Sequence, residues 1–204
     1  MFRHIRALLC AILLCVAVSA CSKPEDGLIE SSMSDSSQSS QTYSTELTLE
    51  GQKETVLYTV EKSASYPYSI GVDLTLFVFE HSDEDDIDVI AYRSTGLDSD
   101  RNAKMSIFFQ PFEEGTQESD YLDLAAQMLM SIDYTVGEPE AVAVGKGEYS
   151  AQRISGSDGQ RNQEFYSISH GEESVIVNLT YPLEGAEGVA ERMRHMLTTL
   201  EIDE

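Results

Sequence analysis

The chain has 204 residues, with 13 Lys and Arg against 36 Asp and Glu and a formal net charge of −23. A field of that sign repels phosphate backbones and anionic headgroups, which excludes nucleic acid as a partner and electrostatic adhesion as the route to a membrane. The length allows one domain of ordinary size plus extensions.

Residues 1–6 carry Arg3, His4 and Arg6, and an apolar run from Ala7 to Val18 follows. This is the layout of a secretory signal peptide. As a helix the run is too short for a hydrocarbon layer of roughly 30 Å, and the chain turns polar after Cys21, so the segment reads as a leader rather than a span. Val18-Ser19-Ala20-Cys21 closes it. Without residues 1–20 the chain keeps 11 basic residues and one cysteine, because Cys10 and Cys15 lie in the leader. No internal disulfide can then form, and a lone thiol in an exported chain calls for a chemical explanation.

Val18 to Cys21 resembles the lipobox of bacterial lipoproteins, an aliphatic residue and two small ones before the cysteine that becomes the new N-terminus. The resemblance implies a diacylglyceryl group on the Cys21 sulfur. Two acyl chains hold a protein at a membrane where one gives marginal, reversible binding. The alternative is a plain secretory leader that frees a soluble chain beginning at Cys21. The lipobox reading places the protein on the extracytoplasmic face of the cell membrane, or on an outer membrane where a second one exists.

Residues 21–44 form the next region. Ser22 to Ser44 holds nine serines in 23 residues and little that could be buried, the composition of a disordered tether. A flexible chain of that length spans ~25–30 Å.

From Thr45 the texture changes, and residues 45–204 read as one globular domain. Thr45–Glu50 alternates, Gly51-Gln52 breaks it, and Thr55–Val60 follows as a hairpin partner. Val72–Phe79, Asp88–Tyr92 and Met105–Phe109 read as strands, with polar loops at 81–88 and 94–102. A helix is expected after Ser119 as N-cap, with Asp120 and Asp123 in its first turn and Tyr121, Leu124, Ala125, Met128, Leu129 and Ile132 as its buried face. Glu140–Val144, Gly147–Ile154, Gln163–Ser169 and Ser174–Tyr181 read as an antiparallel meander, stopped by Pro182. A last helix from Ala186 places Val189, Met193, Met196, Leu197 and Leu200 on one stripe, with Arg192, Arg194 and His195 toward the cation-favouring end. The expected class is α+β, an antiparallel sheet covered by two main helices.

This order of elements, with the phrases Tyr66-Pro67-Tyr68-Ser69-Ile70 and Val177-Asn178-Leu179-Thr180-Tyr181-Pro182, resembles the PsbP-like family, in which DcrB-like envelope lipoproteins are placed. The resemblance implies an α/β/α sandwich and a binding or assembly role. It gives no site, because function has to be argued from a site rather than a fold.

Four histidines, His4, His81, His170 and His195, stand at no metal-ligand spacing, and Cys21 is taken, so no structural zinc and no cofactor is expected. There is no Gly-x-Ser-x-Gly elbow, and Gly145-Lys146-Gly147 lacks the remainder of a dinucleotide fingerprint. The acidic stretch offers Asp83, Glu84, Asp85, Asp86 and Asp88 as calcium-type oxygen donors, although a solvated charged loop is the preferred reading. At Asp98–Asn102 the calcium-loop template fails, with Ala103 in place of the turn glycine and Phe109 in place of the twelfth-position glutamate. Most of the tyrosines, and Met128, Met130, Met193 and Met196, read as core or half-buried sheet residues. The function that follows is a membrane-anchored, non-enzymatic lipoprotein that binds or scaffolds another envelope protein. The alternatives are a calcium or small-ligand binder, or a hydrolase with an unrecognised acidic site.

Overall fold

A computed structural model describes residues 41–93, 103–111, 118–146, 149–171 and 173–203. The leader, Cys21, the tether to residue 40 and the loop at 94–102 lie outside these residues. The chain divides into two compact units, Met1–Gln41 and Thr42–Glu204, and the description that follows is of the second.

Strands β1 (Thr42–Leu49) and β2 (Gln52–Lys62) form the expected hairpin. Leu49 faces Gln52 across a two-residue turn in which Glu50 and Gly51 both have positive φ, 48° and 79°. That is the primed turn whose twist matches the strands it joins, and Gly51 takes its half of it without strain. The expected strand Val72–Phe79 is instead two. β3 (Tyr68–Val72) ends at Val72, and β4 (Phe77–Ser82) begins after a reversal at Asp73. Asp73 accepts the Thr75 amide on its carboxylate at 3.0 Å and the Phe77 amide on its carbonyl at 2.9 Å. A buried aspartate that organises its own turn overrides the β-propensity around it.

The reversal carries the chain from a small sheet to a large one. The small sheet has the order β1-β2-β3-β12, where β12 is Glu201–Ile202. The large sheet is antiparallel throughout, with the order β4-β5-β6-β11-β10-β9-β7. Its strands are β5 (Ile87–Tyr92), β6 (Lys104–Pro111), β7 (Thr135–Val136), β9 (Tyr149–Ser157), β10 (Arg161–His170) and β11 (Glu173–Pro182), with β8 (Glu140–Val144) also paired to β9. The meander is therefore present. The acidic loop is shorter than expected, because His81 and Ser82 belong to β4 and Ile87 and Asp88 to β5.

Both faces of the large sheet are buried. Helix α1 (Glu118–Ser131) packs on β10, β9 and β7, and a Leu129 methyl lies 3.0 Å from where a Cβ on Gly156 would stand. The helix starts at Glu118, so Ser119 lies within it rather than at its cap. Its buried side chains are Tyr121, Leu122, Ala125 and Leu129, while Ile132 falls in the turn beyond the helix and is 39% exposed. Met130 is also exposed, against expectation. Alternation along the strands sends Phe108, Phe165 and Ile176 to this face and Ile107, Ile168, Val177 and Leu179 to the other.

The opposite face is covered by the small sheet and the last helical segment, not by a main helix alone. Tyr66 and Tyr68 stack on Phe109 of β6, with ring centroids 5.0 and 5.9 Å apart. A 3-10 turn (Leu183–Gly185) and a π-helical turn (Ala186–Ala190) lead into α2 (Glu191–Leu197), which packs on β3 and β1. Val189, Met193, Met196, Leu197 and Leu200 are all buried, as the stripe required. Among the described residues the domain is α+β, with two antiparallel sheets and two short helices. No helix among the described residues is long and apolar enough to cross a membrane.

Candidate functional site

The register of the large sheet sets Glu140, Arg153, Tyr166, Val177, Ile107, Asp88 and His81 side by side in one row across seven strands. All face the small sheet and α2. The middle of the row is apolar. Each end is a polar cluster, and the two clusters are the chemistry this face offers.

The first cluster centres on Glu164 of β10, which is 2% exposed. Alternation places it with Tyr166 and Ile168 on a face that is otherwise core, so its carboxylate must find partners. Arg194 of α2 donates to it from Nε at 3.1 and 3.2 Å and again through a terminal nitrogen. Tyr166 donates at 2.6 Å, Tyr181 donates to the other oxygen, and Arg153 reaches it at 3.4 Å. Burial alone would raise the Glu164 carboxyl, but the bonds from Arg194, Tyr166 and Tyr181 outweigh it and hold the group below the usual carboxylate range. Burial and then the Glu164 charge push Tyr166 up to about 12, and the same causes raise Tyr181. Neither arginine is free. Arg153 also binds Glu140 through Nε at 2.9 Å, and Arg194 also binds Glu191. Their planes lie over the rings of Tyr166 and Tyr181, 5.9 and 5.7 Å from the centroids.

Beside this network is a cleft of about 310 Å³. Arg153, Glu164, Tyr181 and Arg194 form one wall. Thr135, Ser155, Ser157 and Asn162 supply uncharged polar groups, and Gly137 and Gly156 complete the lining.

The second cluster lies at the opposite edge. Asp88 is fully buried, accepts from Tyr68 at 2.6 Å and binds His81 Nδ1 at 2.9 Å. The other ring nitrogen of His81 faces Ser65 Oγ at 3.2 Å. Ser65, His81 and Asp88 thus stand in the connectivity of a hydrolytic triad, which no spacing in the sequence announces. The rest of such a site is missing. The amides of Ser65 and Tyr66, the nearest donors for an oxyanion, both donate to Ser63 Oγ, at 3.2 and 2.9 Å. Asp83 and Asp86 lie 3.7 and 3.8 Å from the same His81 nitrogen, where developing negative charge would be repelled.

The calcium candidates are therefore divided between different tasks. Asp88 points into the core, while Asp83 and Asp86 flank His81 with Asp85 between them in the turn. Among the described residues no three His, Cys, Asp or Glu side chains are placed to hold a metal ion. His195 accepts from or donates to Tyr58 at 2.7 Å, and His170 packs edge-on against Tyr149.

No family model matches the chain, and no curated protein matches it. Solved structures do. The solution structure of cyanobacterial PsbP (CyanoP) from Synechocystis superposes with a TM-score of 0.50 at 8% identity, covering 71% of this chain and 92% of that one. The domain has a PsbP-like fold. Further matches are the Ran-binding protein Mog1p of Saccharomyces cerevisiae, at a TM-score of 0.42, 11% identity and coverage of 79% and 96%, and LpqN of Mycobacterium tuberculosis, described as involved in cell envelope biogenesis, at 0.39, 10% and coverage of 83% and 88%. At 8% identity the likeness to PsbP speaks to architecture alone, and the two polar clusters have to be read on their own chemistry.

Proposed function

We propose that the chain is a membrane-anchored, extracytoplasmic lipoprotein whose PsbP-like domain binds an envelope component without catalysing a reaction on it. The anchor rests on Val18-Ser19-Ala20-Cys21 and on Cys21 being the one thiol that a processed chain retains. The observation that carries the binding role is the state of the Glu164 cluster. General acid–base catalysis needs a group that gains and loses a proton near the working pH. Here the carboxylate is held low, the tyrosines are held high and both guanidiniums are paired, so the cleft offers fixed hydrogen-bonding groups and no poised proton carrier. A rigid polar cleft of that kind is suited to recognition.

Two experiments test the two halves of this reading. Wild type and Cys21→Ala are expressed with a clickable fatty acid, and label is expected on the wild type alone. An unlabelled wild type removes the anchor. In-cell crosslinking from positions around the cleft, followed by mass spectrometry, is expected to recover an envelope component, and crosslinks confined to abundant bystanders would sink the binding role.

A further inference from the structure

We infer that the cleft beside Glu164 binds a neutral, polyhydroxylated ligand of one or two rings, the chemistry of a saccharide unit. The inference rests on the proposed binding role and names its ligand class.

Charge excludes the alternatives first. Arg153 and Arg194 carry two positive charges, and Glu164, Glu140 and Glu191, all bonded to them, carry three negative ones. A phosphate or carboxylate entering the cleft would meet guanidiniums whose charge is already paired with carboxylates, inside a domain that is itself strongly acidic. A cation fares no better, because the buried carboxylate receives bonds from Arg194, Arg153, Tyr166 and Tyr181 and has no lone pair left facing the cavity. The occupant is therefore uncharged.

Its polarity follows from the walls. Thr135 and Ser155 present hydroxyls, which donate and accept, and Asn162 presents an amide, which does both in a fixed plane, while the Ser157 hydroxyl is engaged by the Arg161 carbonyl and the Gly159 amide. An apolar ligand would displace water from these groups without replacing its hydrogen bonds, at a cost of about 1–3 kcal/mol for each one stranded. A ligand dense in hydroxyls satisfies them. The size fits as well, since about 310 Å³ is at the small end of ligand clefts.

The test uses the full isotope-labelled chain in detergent micelles, titrated with N-acetylglucosamine, its β-linked dimer, glucose and galactose, and separately with inorganic phosphate and lysinamide. At least one saccharide is expected to shift the amide resonances of Gly137, Ser155 and Asn162. Asn162→Ala and Ser155→Ala, which leave the Glu164 network untouched, are expected to weaken that binding about tenfold while the circular dichroism and the melting temperature stay as in wild type. Shifts at those amides with phosphate or lysinamide and none with any saccharide overturn the ligand class and leave the cleft a binding site. Silence of the cleft to every compound also overturns the inference, and the binding role then stands or falls on the crosslinking, which is independent of this titration.

Discussion

Glu164 is the residue on which most depends. Replacing it with Ala leaves Arg194 half-buried with one carboxylate partner fewer and strips Tyr181 and Tyr166 of their acceptor. The expected loss is about 3–5 kcal/mol, the range for breaking a buried pair by removing one member, measured by urea denaturation at neutral pH. The pH dependence has a definite sign. Because the folded Glu164 carboxyl lies below its unfolded value, its contribution is present above the unfolded pKa of about 4.3 and disappears as pH falls through the lower folded value. The gap between wild type and Glu164→Ala should therefore narrow below about pH 4. The tyrosines act at the other end. Tyr166 is raised to about 12, so its contribution is complete below the unfolded value of about 10 and is lost as pH climbs from there to about 12. Alkaline unfolding should accompany the ionisation of Tyr166, followed by its own ring resonances against a Tyr166→Phe control, and Tyr166 ionising near pH 10 in a still-folded protein would count against its buried place. Ser65 is expected to take no fluorophosphonate label, since the amides beside it are spent on Ser63. Labelling at Ser65 that His81→Asn abolishes would make the domain a hydrolase. Little of this was legible in the sequence. A glutamate between Gln163 and Phe165 looks like any strand residue, and the one signal was parity, which placed it with Tyr166 and Ile168. What the periodicity could not supply was the partner, because Arg194 lies 30 residues away on a helix where its charge had a sufficient local explanation in the dipole.

At the level of elements, patterns that depend on neighbours in the chain came through and those that depend on distant packing did not. The hairpin β1–β2, the meander and the stripe of α2 are local patterns. The division of Val72–Phe79 into β3 and β4 is not wholly one, because Asp73 organises the turn through local bonds but finds its buried place near Arg192, far along the chain. The tilt of α1 is not either. Its buried face turned toward Leu122 and away from Ile132 because the helix seats Leu129 over Gly156. Leu129→Ala should cost about 2–5 kcal/mol in thermal or urea unfolding, as a fully buried leucine does. Two glycines are fixed by contact. A Cβ at Gly71 would sit 2.4 Å from the Tyr43 hydroxyl and 3.0 Å from Thr199 Oγ1, so Gly71→Ala should destabilise by about 1–3 kcal/mol, and combining it with Tyr43→Phe should recover part of that loss. At Gly145 the obstacle is the Leu200 carbonyl, 2.6 Å away and unable to rotate aside, and φ is already +73°. Gly145→Ala should be the more harmful of the two.

For the whole molecule, the outcome is a wide antiparallel sheet with a helix on one face and a second sheet with a helix on the other, a PsbP-like arrangement in which both polar clusters face the second layer. The expected layering placed a main helix there. Short strands such as β3 and β12 gave too little pattern to reveal that a sheet does most of the covering. β12 has a further consequence, for the order of folding. Ile202 pairs with Tyr68, the Asp203 amide donates to the Pro67 carbonyl at 2.8 Å, and the Lys146 amide donates to Leu200 at 2.8 Å. The small sheet is thus completed by residues 200–203, more than 120 positions along the chain from the strand they close upon. Contacts of such long sequence separation form late and slowly. A chain emerging N-terminus first can form the β1–β2 hairpin early, but β3 keeps an open edge until those final residues arrive. Between the two events β3, paired to β2 alone, presents one open edge of a strand with buried-type side chains, which is the interval in which the domain is most exposed to aggregation and proteolysis.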